Sequence, residues 1–148
     1  MASTLREILL APDSEPHVVG DCLTLIHQEV SEKSGVSGAA IKLAYQAAST
    51  FASGYLRYTV QRMLPDIADA LQPYWMDFHA SGGSDFGDYL ATRGGEVSEA
   101  LLAVSDADAT RSARPIIVRA YQTVRGGAGK HIQAALPEVG KLVLKYAA

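Results

Sequence analysis

The chain has 148 residues, with 13 Lys plus Arg, 16 Asp plus Glu, 4 His, a single Cys and a formal net charge of −3. A length of about 150 favours one domain that buries roughly 68–70% of the surface its unfolded chain exposes, and 48% hydrophobic against 20% charged residues exclude intrinsic disorder. No uninterrupted apolar run reaches the roughly 18 residues of a membrane span, and the lone Cys22 forms no internal disulfide, which points to a reducing, cytoplasmic compartment. The opening MASTLREILLAPDSEP is broken by Arg6 and Glu7 and is too short for a signal-peptide core, so the protein is expected to stay where it is made.

Apolar spacing is helical almost throughout, with no period-2 alternation. Thr4 and Glu7 form a capping box for a short helix to Leu10, stopped by Pro12. A second helix begins after Ser14, with Pro16 in its first turn. It runs through Val19, Cys22, Leu23, Ile26 and Val30 to Lys33, where Gly35 suits the left-handed position past the end. Ser37 caps a third, from Gly38 towards Leu64, whose stripe of Ala40, Ala44, Ala48 and Ala52 lets another helix approach closely. Pro65 kinks that helix or starts a new one, which places Asp66 and Asp69 in a first turn.

Ser81-Gly82-Gly83 is the clearest turn. Ser84 or Asp85 starts a helix carrying Phe86, Leu90, Val97, Leu101 and Val104, which is expected to break between Asp106 and Ser112. Pro115 opens a last long helical region marked by Ile117, Tyr121, Val124, Ile132, Val139 and Leu142, with interruptions expected at Gly126–Gly129 and Pro137. Three landmarks recur in order: Glu29-Val30-Ser31-Glu32 as Glu96-Val97-Ser98-Glu99, Ala44-Tyr45-Gln46 as Ala120-Tyr121-Gln122, and Leu64-Pro65-Asp66 as Leu136-Pro137-Glu138. The expected fold is therefore all-α: a single helical bundle over residues 1–148 of about five to seven helices. Pseudo-symmetric halves over 1–81 and 82–148, hinged at Gly82-Gly83, are a variant of it.

Lys33-Ser34-Gly35-Val36-Ser37-Gly38-Ala39-Ala40, Met63-Leu64-Pro65-Asp66-Ile67-Ala68-Asp69-Ala70-Leu71, Phe86-Gly87-Asp88-Tyr89-Leu90 and Ala134-Ala135-Leu136-Pro137 together resemble a family of small, uncharacterised, all-helical proteins of actinobacterial, mycobacterial type. The resemblance spans nearly the whole chain and implies a cytoplasmic helical protein. The family has no assigned activity, so no functional residue is carried over.

Charge is divided along the chain. Residues 1–108 hold 6 Lys plus Arg against 15 Asp plus Glu, a balance of −9, whereas residues 109–148 hold 7 against 1, a balance of +6. On one helix, Arg111, Arg114 and Arg125 fall within a sector of roughly 60° and make a candidate anion-binding patch. The bland alternative is a basic helix packed beside acidic ones. No nucleic-acid recognition motif accompanies the patch, and the acidic total argues against sequence-specific binding. Arg125-Gly126-Gly127-Ala128-Gly129-Lys130 fails as a phosphate loop because His131 stands where Ser or Thr is needed and no strand precedes it.

Tyr74, Trp75, Phe78, Phe86 and Tyr89 gather at the hinge as a candidate ligand or partner site, or as a staple that closes the halves. His17 and Asp21, one helical turn apart, and the neighbouring Asp77 and His79 are each only half of a metal site. Cys22, on an apolar face, reads as an inert thiol, and no Gly-x-Ser-x-Gly elbow occurs. No catalytic residue, metal or cofactor is therefore assigned. The expected function is a non-enzymatic protein-interaction module, as a homodimer or with another protein. The alternative is a small-molecule or acyl-chain binder with its pocket beside the aromatic hinge.

Overall fold

The computed structural model describes residues 3–32, 42, 46, 54–111 and 115–147. Among them lie six helices and no strand: α1 (Leu5–Leu9), α2 (Glu15–Glu32), α3 (Tyr55–Ala80), α4 (Phe86–Thr92), α5 (Gly94–Arg111) and α6 (Pro115–Ala147). The expected capping box is formed, since the Glu7 N–H donates to Thr4 Oγ1 at 3.1 Å and Glu7 reaches back to the Thr4 backbone. Gln72 Oε1 accepts from the Leu5 N–H at 2.7 Å and Asp69 takes both Arg6 nitrogens, so the short α1 is tied to α3.

Five expectations are corrected. The helix anticipated from Gly38 does not run unbroken to Leu64, because Gly54 adopts a left-handed φ of +80° and α3 begins after it. Residues 38–41, with most of 43–53 and the alanine stripe, lie outside the described residues. Pro65 neither ends nor starts a helix: it sits inside α3 with Pro73, which leaves Asp66 and Asp69 in mid-helix. An interior proline costs about 3 kcal/mol. Here Val60, Leu64, Ala68, Leu71, Trp75 and Phe78 stay buried on one face across it, and their removal from water outweighs the lost hydrogen bond.

The helix from Asp85 does not run on past Gly94 but breaks at Arg93, and α5 then ends at Arg111, within the stretch from Asp106 to Ser112 where a break is expected. Asp85 caps α4, accepting the Asp88 N–H at 3.0 Å. The last helix continues through Gly126–Gly129 and Pro137 without interruption. Its glycines include Gly140, whose backbone lies directly on that of Gly87 in α4, where a Cβ on either residue would overlap the other helix. Close approach of backbones explains why glycine is tolerated inside this helix.

α1, α2, α4 and α5 each pack against both long helices, α3 and α6. One core, from Leu5 through Phe86 to Val143, draws on residues from before and after the Gly82-Gly83 turn. The first recurring landmark closes α2 at Glu29–Glu32 but opens α5 at Glu96–Glu99, so those two copies are not equivalent in the fold. Of the second, Ala44 and Tyr45 lie outside the described residues.

Candidate functional site

The aromatic hinge is solid. Trp75, Phe78 and Phe86 are buried, with the Phe86 ring 5.0 Å from Trp75 and 5.1 Å from Phe78, and Tyr89 5.7 Å from Phe78. His79 packs edge-on to Trp75 at 4.2 Å, and half-buried Tyr74 packs against the same core. Edge-to-face and offset rings fill space efficiently. Tyr89 donates to Asp77, which also pairs with Arg93 at 3.2 Å. Desolvation, reinforced by that carboxylate, pushes the Tyr89 hydroxyl up to about 12. The staple reading fits this region, and neither Trp75 nor Phe78 lines any of three cavities found along α2.

A cavity opens instead towards the other end of α3. It has about 300 Å³ and is walled by Val18, Cys22, Leu25 and Ile26 of α2, Leu56, Val60, Met63, Ile67 and Leu71 of α3, Leu101 of α5, and Val139, Leu142 and Val143 of α6. No aromatic ring lines it. Leu9 of α1 joins the wall, and branched and flexible aliphatic side chains at helical spacing leave concave gaps where these five helices meet, which is the usual composition of a ligand pocket in a bundle. Cys22 forms part of the wall, and desolvation, aided by the Asp21 charge, pushes its thiol up to about 11. The thiol is thus protonated and inert at neutral pH.

Two further pockets adjoin this cavity. One of about 330 Å³ shares Leu25, Ile26, Leu101 and Val139 and reaches Ala128, His131 and Glu29. The other, of about 240 Å³, shares Leu25 and Leu142 and is polar, bounded by Asp21, Thr24, Gln28, Glu138, Lys141 and Lys145. Leu25 is common to all three. Residues of α2 and α6 thus take part in the walls of neighbouring pockets, and the polar side chains gather at one of them.

Arg111, Arg125 and Lys145 of the basic segment pair with carboxylates of the acidic one. Asp106 accepts Arg125 Nε at 2.8 Å and Nη2 at 3.0 Å and also receives Tyr121 Oη. These donors, Arg125 first, hold the Asp106 carboxyl below its ordinary range. Arg111 lies 3.7 Å from Asp66, and Lys145 lies 2.7 Å from Asp21. Arg111 ends α5 while Arg125 belongs to α6, so the sector computed for a single helix does not form; Arg114 lies outside the described residues.

Asp21, considered with His17 as half a metal site, takes Lys145 and Tyr146 instead. No group of three His, Cys, Asp or Glu able to hold a metal occurs among the described residues. No buried side-chain nitrogen or oxygen among them lacks a hydrogen-bond partner. The cavity was missed in the sequence because it is a difference between packed volumes. Its one legible trace is Leu25, which follows Cys22 by three residues on the inward face of α2.

No helix among the described residues is long and apolar enough to cross a membrane. Residues 5–147 match a family of unknown function (DUF6918), and the chain belongs to that family. No curated protein and no solved structure matches it.

Proposed function

We propose that this protein is a non-enzymatic binder of an apolar small molecule, held inside the helical bundle between α2, α3 and α6. One observation carries the reading: the aliphatic cavity of about 300 Å³ bounded by Cys22, Leu25, Met63 and Val139. This is at the lower end of the range in which ligand sites occur, and about twice a cavity of roughly 150 Å³ that takes up benzene. The lone, protonated thiol in its wall suits a cytoplasmic binder that leaves its cargo unmodified. The interaction-module reading has less behind it. Its alanine stripe lies outside the described residues, Arg111, Arg125 and Lys145 of the basic segment are paired internally, and among the described residues the large exposed apolar side chains are Tyr58 and Met76, at separate points of α3.

The test is titration with N-phenyl-1-naphthylamine, an apolar probe that fluoresces when desolvated. Saturable binding by the wild type and its loss in Leu25→Trp, which fills the junction of the three pockets, is the expected result. A circular-dichroism melt checks that the variant folds. No saturable binding to the wild type, or undiminished binding to a folded Leu25→Trp protein, overturns the reading.

A further inference from the structure

Two neighbouring pockets share Leu25 and Leu142 in their walls and differ in chemistry: the aliphatic cavity, and one of about 240 Å³ bordered by Asp21, Glu138, Lys141 and Lys145. An all-apolar ligand has no use for the second pocket. Lys141 and Lys145, one turn apart on α6, share a face and border that pocket, each with more than half of its side chain exposed. Lys141 donates to Glu138 at 3.3 Å and Lys145 to Asp21 at 2.7 Å. An ammonium has three N–H donors, so both lysines can keep these carboxylates and still donate to a further acceptor.

The carboxylates are placed differently. The same Asp21 oxygen that receives Lys145 also receives the Tyr146 hydroxyl. Glu138 is already engaged by Lys141. Asp21 and Glu138 are also the less exposed partners, at 35% and 51% against 63% and 68% for Lys145 and Lys141, so an entering head meets the two ammonium groups first, and these have donors to spare. Resting on the binding reading above, we infer that the cargo is a single-chain amphiphile with a carboxylate head, its aliphatic chain in the cavity and its head between Lys141 and Lys145.

Three probes of one chain length separate the possibilities: dodecanoate, dodecanol and dodecyltrimethylammonium, each titrated below its micelle concentration by displacement of N-phenyl-1-naphthylamine. Dodecanoate is expected to bind about tenfold tighter than dodecanol, the gain from charge-assisted hydrogen bonds to its head, with the ammonium compound weakest. In the Lys141→Met, Lys145→Met double variant, which keeps the aliphatic stems, dodecanoate falls to the level of dodecanol while dodecanol is unchanged. Equal binding of carboxylate and alcohol by the wild type, tighter binding of the ammonium compound, or a carboxylate preference that survives in the folded double variant overturns the head-group assignment and leaves the cavity reading standing. If none of the three displaces the bound naphthylamine, an aliphatic chain does not enter the cavity and the inference falls. If the naphthylamine itself does not bind, the cavity reading fails first.

Discussion

The two ends of α3 are built from residues of similar hydrophobicity and behave differently. Towards its C-terminus, Trp75 and Phe78 meet Phe86 and Tyr89 of α4, and the adjoining α4–α6 contact brings the Gly87 and Gly140 backbones together. Towards its N-terminus, Val60, Met63 and Ile67 face Cys22 and Leu25 across a cavity of about 300 Å³. Planar rings and glycine crossings let helices close completely. Aliphatic side chains on five converging helices do not fill the space between them. Hydrophobicity alone, then, does not distinguish a staple from a receptacle; shape does.

The largest effect is expected from removing a ring at the packed end. Phe86, 0% exposed and in contact with three aromatic neighbours, should cost about 3–5 kcal/mol as Phe86→Ala, read as a lower midpoint in urea. A smaller loss in that variant would mean the staple is looser than its ring geometry indicates.

Adding volume should have opposite signs at the two ends. Gly140→Ala places a Cβ on the Gly87 backbone and should destabilise by about 1–3 kcal/mol despite the better helix propensity of alanine. Cys22→Leu grows into the cavity and should gain about 0.5–1 kcal/mol. Thermal melts of the two variants check this, and a loss in Cys22→Leu would show that the aliphatic end has no room.

The smallest differences appear with pH. Asp21, Asp69 and Asp106 are held below the ordinary carboxylate range, chiefly by hydrogen bonds from Lys145, Arg6 and Arg125. Because these folded-state values are depressed, the associated stability is present above about pH 4 and is lost as pH falls further, through the folded values. On the alkaline side the order separates the two ends. Cys22 is raised from 9.0 to about 11 and Tyr89 from 10.0 to about 12, so each contributes stability that is complete below its ordinary value and lost as pH climbs through the raised one. Melting temperatures from pH 8 upward should therefore fall less steeply in Cys22→Ala first, and in Tyr89→Phe only about one pH unit higher. Identical alkaline profiles for wild type and Cys22→Ala would mean the thiol is not desolvated.

Much of the local structure was legible. The Thr4–Glu7 capping box, the start of α2 after Ser14, the Ser81–Gly83 turn, the cap at Asp85 and the start of α6 at Pro115 each follow from one side chain satisfying or removing one backbone group. Boundaries failed where propensity and burial disagree. Pro65, Pro137 and the glycines of 126–129 argue for breaks, yet the helices continue; around the two prolines, apolar residues on both sides are buried together. The aromatic positions were identified, but not whether they enclose a pocket. Two arginines of the candidate basic patch, Arg111 and Arg125, fall on two helices and meet Asp66 and Asp106, a pairing that no linear charge count contains.

The sequence by itself determined an all-helical protein with its caps, its main turn and a division of charge between a −9 segment and a +6 segment. The tertiary structure decided that Arg111, Arg125 and Lys145 of the basic segment pair with Asp66, Asp106 and Asp21 of the acidic one, and that a cavity lies beside Cys22. The physical reason is range: caps and turns are interactions within a few residues, whereas ion pairs and cavities depend on which surfaces several helices present to one another after they pack.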